Sequence, residues 1–245
     1  MQVVVLAGGL ATRLGNLAKA LPKSLLVIEG HPFISYQLSM LSRSGAKKVL
    51  LCVGHIGDRI KDYVGDGRSF GLEVSYSDEG KKLLGTGGAL RNAEPLLESE
   101  FSLVYGDSYF QLPIADIWKR FDAAGLPGLM VVLKNRNMYG PSNCSVDSGL
   151  VTNYAKGVAK PAHEYIDFGF VCLRRSVLSS IPRGTSTDLS VVLTALASKR
   201  QLSAYEVHER FYEIGSIQGL ADFTQYVKAA GADRLLLLES SGKER

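Results

Sequence analysis

Gln2-Val3-Val4-Val5-Leu6-Ala7-Gly8-Gly9-Leu10-Ala11-Thr12-Arg13-Leu14 sets an apolar run of strand length directly against a glycine pair and an arginine. Consecutive branched residues favour an extended chain buried on both faces, which calls for a sheet covered by helices on each side. In open sheets of that kind ligands bind beyond the carboxyl ends of the strands, which is where this loop must lie. Gly8 and Gly9 let the backbone approach a phosphate closely, and Arg13 can fork onto phosphate oxygens. The spacing is neither G-x-G-x-x-G nor G-x-x-x-x-G-K-[ST], so the dinucleotide and P-loop readings, and a dehydrogenase with them, lose their main support.

Outward from this segment the same grammar repeats. Short apolar runs at Lys48–Val53, Leu72–Tyr76, Phe101–Tyr105 and Leu129–Leu133 read as buried strands. Pro32–Ser42, Gly57–Val64, Gly88–Leu97 and Pro113–Ala123 carry helical spacing between them. Strands alternating with helices predict a mostly parallel α/β sheet with helices on both faces. After Lys134 the pieces are shorter and more polar: strands near Cys144–Val146, Val151–Tyr154 and Ile166–Leu173, a helix over Asp188–Ser198, and strands at Leu202–Val207 and Phe211–Ile214. Ser216 is the expected N-cap of a last helix through Val227. One domain is expected over residues 1–230, with a nucleotide-binding part about 1–134 and an extension of the sheet about 135–230; residues 239–245 read as a frayed tail.

Hydrophobic residues make up 46% of the chain and charged ones 21%, a globular composition that excludes disorder and coiled coil for the body. The net charge of +4 is mild and its cations are scattered, so neither a nucleic-acid nor a membrane surface is indicated. Cys52, Cys144 and Cys172 are far apart, form no C-x-x-C pair and sit in apolar stretches, as buried free thiols of a reducing compartment do. The sequence starts on a strand with no basic leader, and a cytoplasmic protein is expected. His31, His55, His163 and His208 lack metal-ligand spacing and read as surface or loop residues; Trp118 and Phe121 read as core, and Tyr105, which could edge the site before Gly106-Asp107, reads as packing from its apolar strand context.

Two further glycine-bearing loops fall at strand ends. Leu84-Gly85-Thr86-Gly87-Gly88-Ala89 follows the third strand, where small residues can admit a flat base and ribose. Gly106-Asp107 closes the fourth and puts a carboxylate on the same crevice. These segments, with Pro22-Lys23, Tyr154-Ala155-Lys156 and Glu213-Ile214-Gly215, stand in the order and spacing of the sugar-1-phosphate nucleotidyltransferases, which the chain resembles from Met1 to about Leu220. It looks most like the short members, such as heptose 1-phosphate guanylyltransferases and N-acetylmuramate 1-phosphate uridylyltransferases. The resemblance implies a Rossmann-like core that takes an NTP and a sugar 1-phosphate and makes an NDP-sugar and pyrophosphate.

By that resemblance Ala7, Gly8, Gly9, Thr12, Arg13, Gly85, Thr86 and Gly87 would bind the nucleotide, with Arg13 on the leaving pyrophosphate and Lys23 on the reacting phosphates. Lys156 would hold the sugar 1-phosphate, although Lys160-Pro161 lies just beyond and also fits the family's pattern. Asp167 and Gly169 match the segment that lines the sugar pocket. Asp107 and Glu213 correspond to the carboxylates that bind Mg²⁺, a hard cation suited to oxygen ligands. Glu79 could accept from both N1–H and the N2 amine of guanine, so GTP is the expected donor. Two departures, Glu213 where aspartate is usual and no glutamate beside Lys156, motivate the alternative of a non-catalytic nucleotide-sugar-binding regulator. The identity of the sugar and the oligomeric state are left open by the sequence.

Overall fold

The structure, a computed structural model, describes residues 2–9, 21–54, 56–156 and 160–236. Thr12, Arg13, His55 and the tail expected over 239–245 lie outside the described residues. In chain order the first elements are β1 (Gln2–Leu6), the small hairpin β2 (Val27–Ile28) and β3 (His31–Pro32), α1 (Phe33–Arg43), β4 (Lys48–Val53) and α2 (Asp58–Val64). Then come β5 (Glu73–Asp78), α3 (Gly85–Ala93), β6 (Glu100–Tyr105), β7 (Ser108–Tyr109), α4 (Ile114–Ala124) and β8 (Gly128–Lys134). The remainder is β9 (Cys144–Asp147), β10 (Leu150–Tyr154), β11 (Tyr165–Arg174), α5 (Ser190–Ser198), β12 (Leu202–Val207), β13 (Tyr212–Glu213), α6 (Ile217–Ala230) and α7 (Ala232–Leu235).

Nine strands form one sheet in the order β5-β4-β1-β6-β11-β8-β12-β10-β9. Side chains of β1 alternate between two cores: Val3 and Val5 join the face covered by α1, α2, α4 and α6, while Val4 and Leu6 join the face covered by α3 and α5. Double coverage is why β1 is apolar at every position from Val3 to Leu6 instead of every second one. Phe101, fully buried in the second core, is the sort of residue whose truncation to alanine costs about 3–5 kcal/mol.

Pairing is parallel across β5, β4, β1 and β6 and again between β12 and β8. It turns antiparallel where β11 meets β6 and β8 and where β10 meets β9 and β12. The sheet is therefore mixed, with the expected parallel order across β5, β4, β1 and β6. A tight connection sets the β9–β10 pairing, since these strands are joined only by Ser148 and Gly149, both at positive φ (52° and 74°), and a two-residue turn of that kind can link only antiparallel neighbours.

Two boundaries differ usefully from expectation. β5 runs on to Asp78, so Glu79 stands directly at the strand's carboxyl end. Helix α3 starts at Gly85, three residues early, because its first-turn amides at Gly87 and Gly88 find an outside acceptor, the Thr187 carbonyl, at 2.9 and 3.1 Å. Ser216 caps α6 as expected, its side chain accepting from the Gly219 amide. No helix among the described residues is long and apolar enough to cross a membrane.

Candidate active site

The chain builds outward from β1 through β4 to β5 and then returns to β1's other side with β6, so the strand order reverses beside β1. Such a reversal opens a crevice at the carboxyl ends of the strands. A cavity of about 430 Å³ lies there, bordered by Leu6, Ala7, Gly8 and Gly9 after β1, Cys52 of β4, Glu79 after β5 and Tyr105, Gly106 and Asp107 at the end of β6. Its size is that of an ordinary small-molecule site.

Backbone bonds beyond the strands close this edge. The Ala7 amide donates to the Cys52 carbonyl at 2.8 Å and the Gly106 amide to the Leu6 carbonyl at 3.1 Å. A Cβ on Gly106 would stand 2.4 Å from the Leu6 oxygen, so only glycine lets β6 end this tightly against β1. Asp107 then emerges at the mouth of the crevice, where Lys23 Nζ meets its Oδ2 at 2.8 Å. Both side chains are largely sheltered, at 17% and 33% exposure, which weakens solvent screening of the pair.

Glu213 reaches the same point from the far end of the sequence. β13 pairs antiparallel with β7, Glu213 opposite Ser108, and the Ile214 amide donates to the Asp107 carbonyl at 3.0 Å. The gap between the charged groups is held open by Gly215: a Cβ there would lie 2.7 Å from Glu213 Oε2 and 3.1 Å from both Asp107 Oδ2 and Lys23 Nζ. Glu213 is no idle strand residue, for its carboxylate accepts from the Gly215 and Ser216 amides and from Ser216 Oγ at the start of α6. Two carboxylates converging on one cradle suit a hard divalent cation that takes its other ligands from water and phosphate. Among the described residues no group of three or more His, Cys, Asp and Glu side chains forms a self-sufficient metal cage.

On one flank of the cleft stand Glu79, Leu83, Gly85, Thr86 and Ala89. Glu79 Oε2 accepts from the Leu84 amide at 2.9 Å while Oε1 faces Gly8 and Gly54, and burial pushes the carboxyl up. Gly85 sits at φ +69° and, with Thr86, borders the cavity, whereas Gly87 lies behind it, packed on the backbone of Thr187 to Leu189. Thr86 Oγ1 accepts from the Leu189 amide at 2.8 Å, tying this loop to the segment before α5.

Lys156 also borders the cleft, paired with Asp188 Oδ2 at 2.9 Å and resting 5.6 Å above the Tyr105 ring. Burial alone would raise the Asp188 carboxyl, but hydrogen bonds from Lys156 and Ser190 outweigh it and hold it below the ordinary range. Lys160, the other candidate, is exposed and does not line the cavity. Asp167 is not at the cavity wall; its carboxylate turns inward, accepting from the Tyr154 hydroxyl and the Gly169 amide, each at 2.9 Å, and burial raises its pKa. Gly169 packs against Ser108 and Tyr105, beneath the turn that carries Asp107.

Two residues that the sequence reads mainly as packing, Tyr105 and Cys52, also line the cavity. Tyr105 forms cavity wall as well as core, and burial followed by the Asp167 and Asp188 charges drives its hydroxyl pKa well up. Cys52 borders the cavity floor, its thiol pushed up to about 12 by burial, and with Cys144 and Cys172 it is free and buried. His163 is buried rather than at the surface, hydrogen-bonded through Nε2 to Asn153 Oδ1 at 3.1 Å, because the turn after Lys160 folds it under the β9–β10 hairpin. Phe121 is core as expected, and half-buried Trp118 donates to Ser102 Oγ at 2.8 Å. Asp188 is not singled out by the sequence; only its long-range contact with Lys156 gives it a role.

The model of the family described as nucleotidyl transferase matches residues 2–228. The D-glycero-alpha-D-manno-heptose 1-phosphate guanylyltransferase of Campylobacter jejuni is 26% identical over 215 residues, 88% of this chain and 95% of that protein. The mannose-1-phosphate guanylyltransferase catalytic subunit beta of Danio rerio is 25% identical over 245 residues, covering 96% of this chain and 68% of its own length. Among solved structures, the inositol-1-phosphate CTP transferase from T. maritima superposes with a TM-score of 0.79 at 20% identity, over 96% of this chain and 95% of that one, a likeness of fold.

Proposed function

The chain belongs to the nucleotidyl transferase family, and from that premise we propose that it transfers the nucleoside monophosphate part of an NTP to a sugar 1-phosphate. The observation that carries this reading is the meeting of Lys23, Asp107 and Glu213 around the Gly215 cradle, between a glycine-walled flank and a lysine-bearing one. A phosphate oxygen of the sugar 1-phosphate attacks the α-phosphorus in line. The bond from that phosphorus to the α–β bridging oxygen breaks, and pyrophosphate leaves. No covalent intermediate on the protein is needed; alignment and charge stabilisation do the catalysis.

In this reading Ala7, Gly8, Gly9, Gly85 and Thr86 border the nucleotide, Lys23 faces the reacting phosphates, and Lys156 receives the sugar 1-phosphate. Thr12 and Arg13 keep the roles that the family resemblance implies for them. Asp107 and Glu213 would hold Mg²⁺, which when bound supplies positive charge beside the α-phosphate. Residues 1–134 serve the nucleotide and 135–230 the acceptor within a single unit. A cytoplasmic location, where thiols stay reduced, belongs to the same proposal.

Guanine is the base we favour. Glu79 brings a carboxylate to the cavity wall, and the two relatives described above are both named as guanylyltransferases. Titrating the protein with GTP, UTP and CTP tests the base; tighter binding of UTP or CTP ends it. Mass analysis of the product from mixtures of NTP and sugar 1-phosphates tests the reaction itself, with an NDP-sugar as the expected species.

A further inference from the structure

Gln37 lies on α1 with no exposed surface, directly under the turn that presents Asp107. Its Nε2 donates to the Tyr105 carbonyl at 2.9 Å and to the Ser108 carbonyl at 2.7 Å, the two oxygens that bracket Gly106 and Asp107. A carboxamide nitrogen has two hydrogens, and both are used here. The orientation is unambiguous, because the flipped amide would aim its oxygen at two carbonyl oxygens. Two other bonds hold the same turn, Gly106 amide to Leu6 carbonyl and Ile214 amide to Asp107 carbonyl. The turn is thus fastened to β1, to α1 and to the strand that carries Glu213.

Gln37 Oε1 is buried and has no hydrogen-bond partner among the described residues. An unpaired buried oxygen is a cost that leucine or methionine at this position would avoid. Its neighbours Tyr36 and Leu38 are also fully buried, so apolar filling would serve the core. What an apolar residue could not supply is the pair of donors under the Asp107 turn.

We propose that Gln37 is a positioning residue which, by bridging the carbonyls on either side of Asp107, fixes that carboxylate against Lys23 and Glu213 for the transfer reaction. It touches no substrate and acts through the turn. The inference rests on the transferase reading above. In-line transfer tolerates little displacement, since an error of about 1 Å can cost on the order of a hundredfold in rate.

The test uses Gln37→Leu and, in case that variant does not fold, Gln37→Met, which keeps length and removes both donors. Four readouts are compared with wild type: kcat against KM for NTP and sugar 1-phosphate, Mn²⁺ binding followed by electron paramagnetic resonance with an unreactive NTP analogue, amide hydrogen exchange over residues 105–109, and melting temperature. The expected result is kcat lower by about tenfold or more with KM within about threefold. Mn²⁺ binding weakens by about fivefold or more and exchange in the turn speeds up. Unchanged kcat and Mn²⁺ affinity in a folded variant, whatever its melting temperature, reduce Gln37 to packing and overturn the inference. A wild-type protein with neither turnover nor nucleotide-dependent Mn²⁺ binding overturns the transferase reading and the inference together, which separates the two failures.

Discussion

The two flanks of the cleft are built from different material. Around the ends of β1 and β6, which we assign to the nucleotide, main chain reaches the wall: Ala7, Gly8 and Gly106 follow strands whose hydrogen bonds continue into the loops. Where we place the acceptor the wall consists of side chains, Lys156 leaning on Asp188 and Tyr105, with Tyr154 and Asp167 paired nearby. Main chain fixed by a sheet is rigid and suits a group that every NTP shares. A half-exposed ion pair is worth about 0–1 kcal/mol, so Lys156 can exchange Asp188 for a phosphate at little cost. In the proposed reading the contrast means that one part of the site is preorganised for phosphates and the other is poised to rearrange around its acceptor.

Substitutions can break or sharpen that contrast, and the largest effects belong where the flanks meet. Asp107→Asn and Glu213→Gln should each remove most turnover, on the order of a hundredfold or more, with the fold intact by circular dichroism. Glu213→Asp should be tolerated better than Glu213→Gln, and excess EDTA should abolish activity; full activity in EDTA would sink the two-carboxylate account. Next come Lys23→Ala and Arg13→Ala, each expected to cost about 2–4 kcal/mol in kcat/KM, with wild-type folding. Near-normal turnover in both would mean the phosphates bind elsewhere.

Smaller and more selective effects are expected on the acceptor flank. Lys156→Ala should raise KM for the sugar 1-phosphate by roughly tenfold, as loss of a charged hydrogen bond does, while KM for NTP stays within about twofold. Equal changes in both constants would erase the division between flanks. The smallest effect concerns stability and pH. Burial raises the folded-state pKa of Asp167 above the ordinary 3.8, so the folded protein holds that proton more tightly than the unfolded chain. Stability from this group is therefore present at low pH and is lost as pH climbs from 3.8 through the raised value. Melting curves across that window should fall more steeply for wild type than for Asp167→Asn; parallel curves would assign the pH dependence elsewhere.

Legibility in the sequence follows the same division. The parallel half could be read because local signals state it: the apolar Val3–Leu6 run of β1, glycine-ended strands and proline-opened helices each encode their structure within a few residues. Gly106-Asp107 was legible for the same reason. Asp188 was not, because its partner Lys156 is distant in the chain, nor was Gln37, which looks like any polar residue on a helix until β6 is laid over it. Gly87 illustrates the limit from the other side: its small size admits the Thr187 backbone, a neighbour no local pattern announces. His163 was misread for want of the same tertiary information.

The most direct test follows the phosphorus. Wild-type protein is incubated with Mg²⁺, a panel of sugar 1-phosphates and GTP labelled in separate experiments at the α- or the γ-phosphate. Nucleotidyl transfer predicts that α-label appears in an NDP-sugar and γ-label in pyrophosphate, in equal amounts and only when an acceptor is present. Tight binding of a nucleotide sugar, with neither label moved for any acceptor or with UTP, CTP or ATP in place of GTP, would contradict the account and leave a regulatory binding protein in its stead.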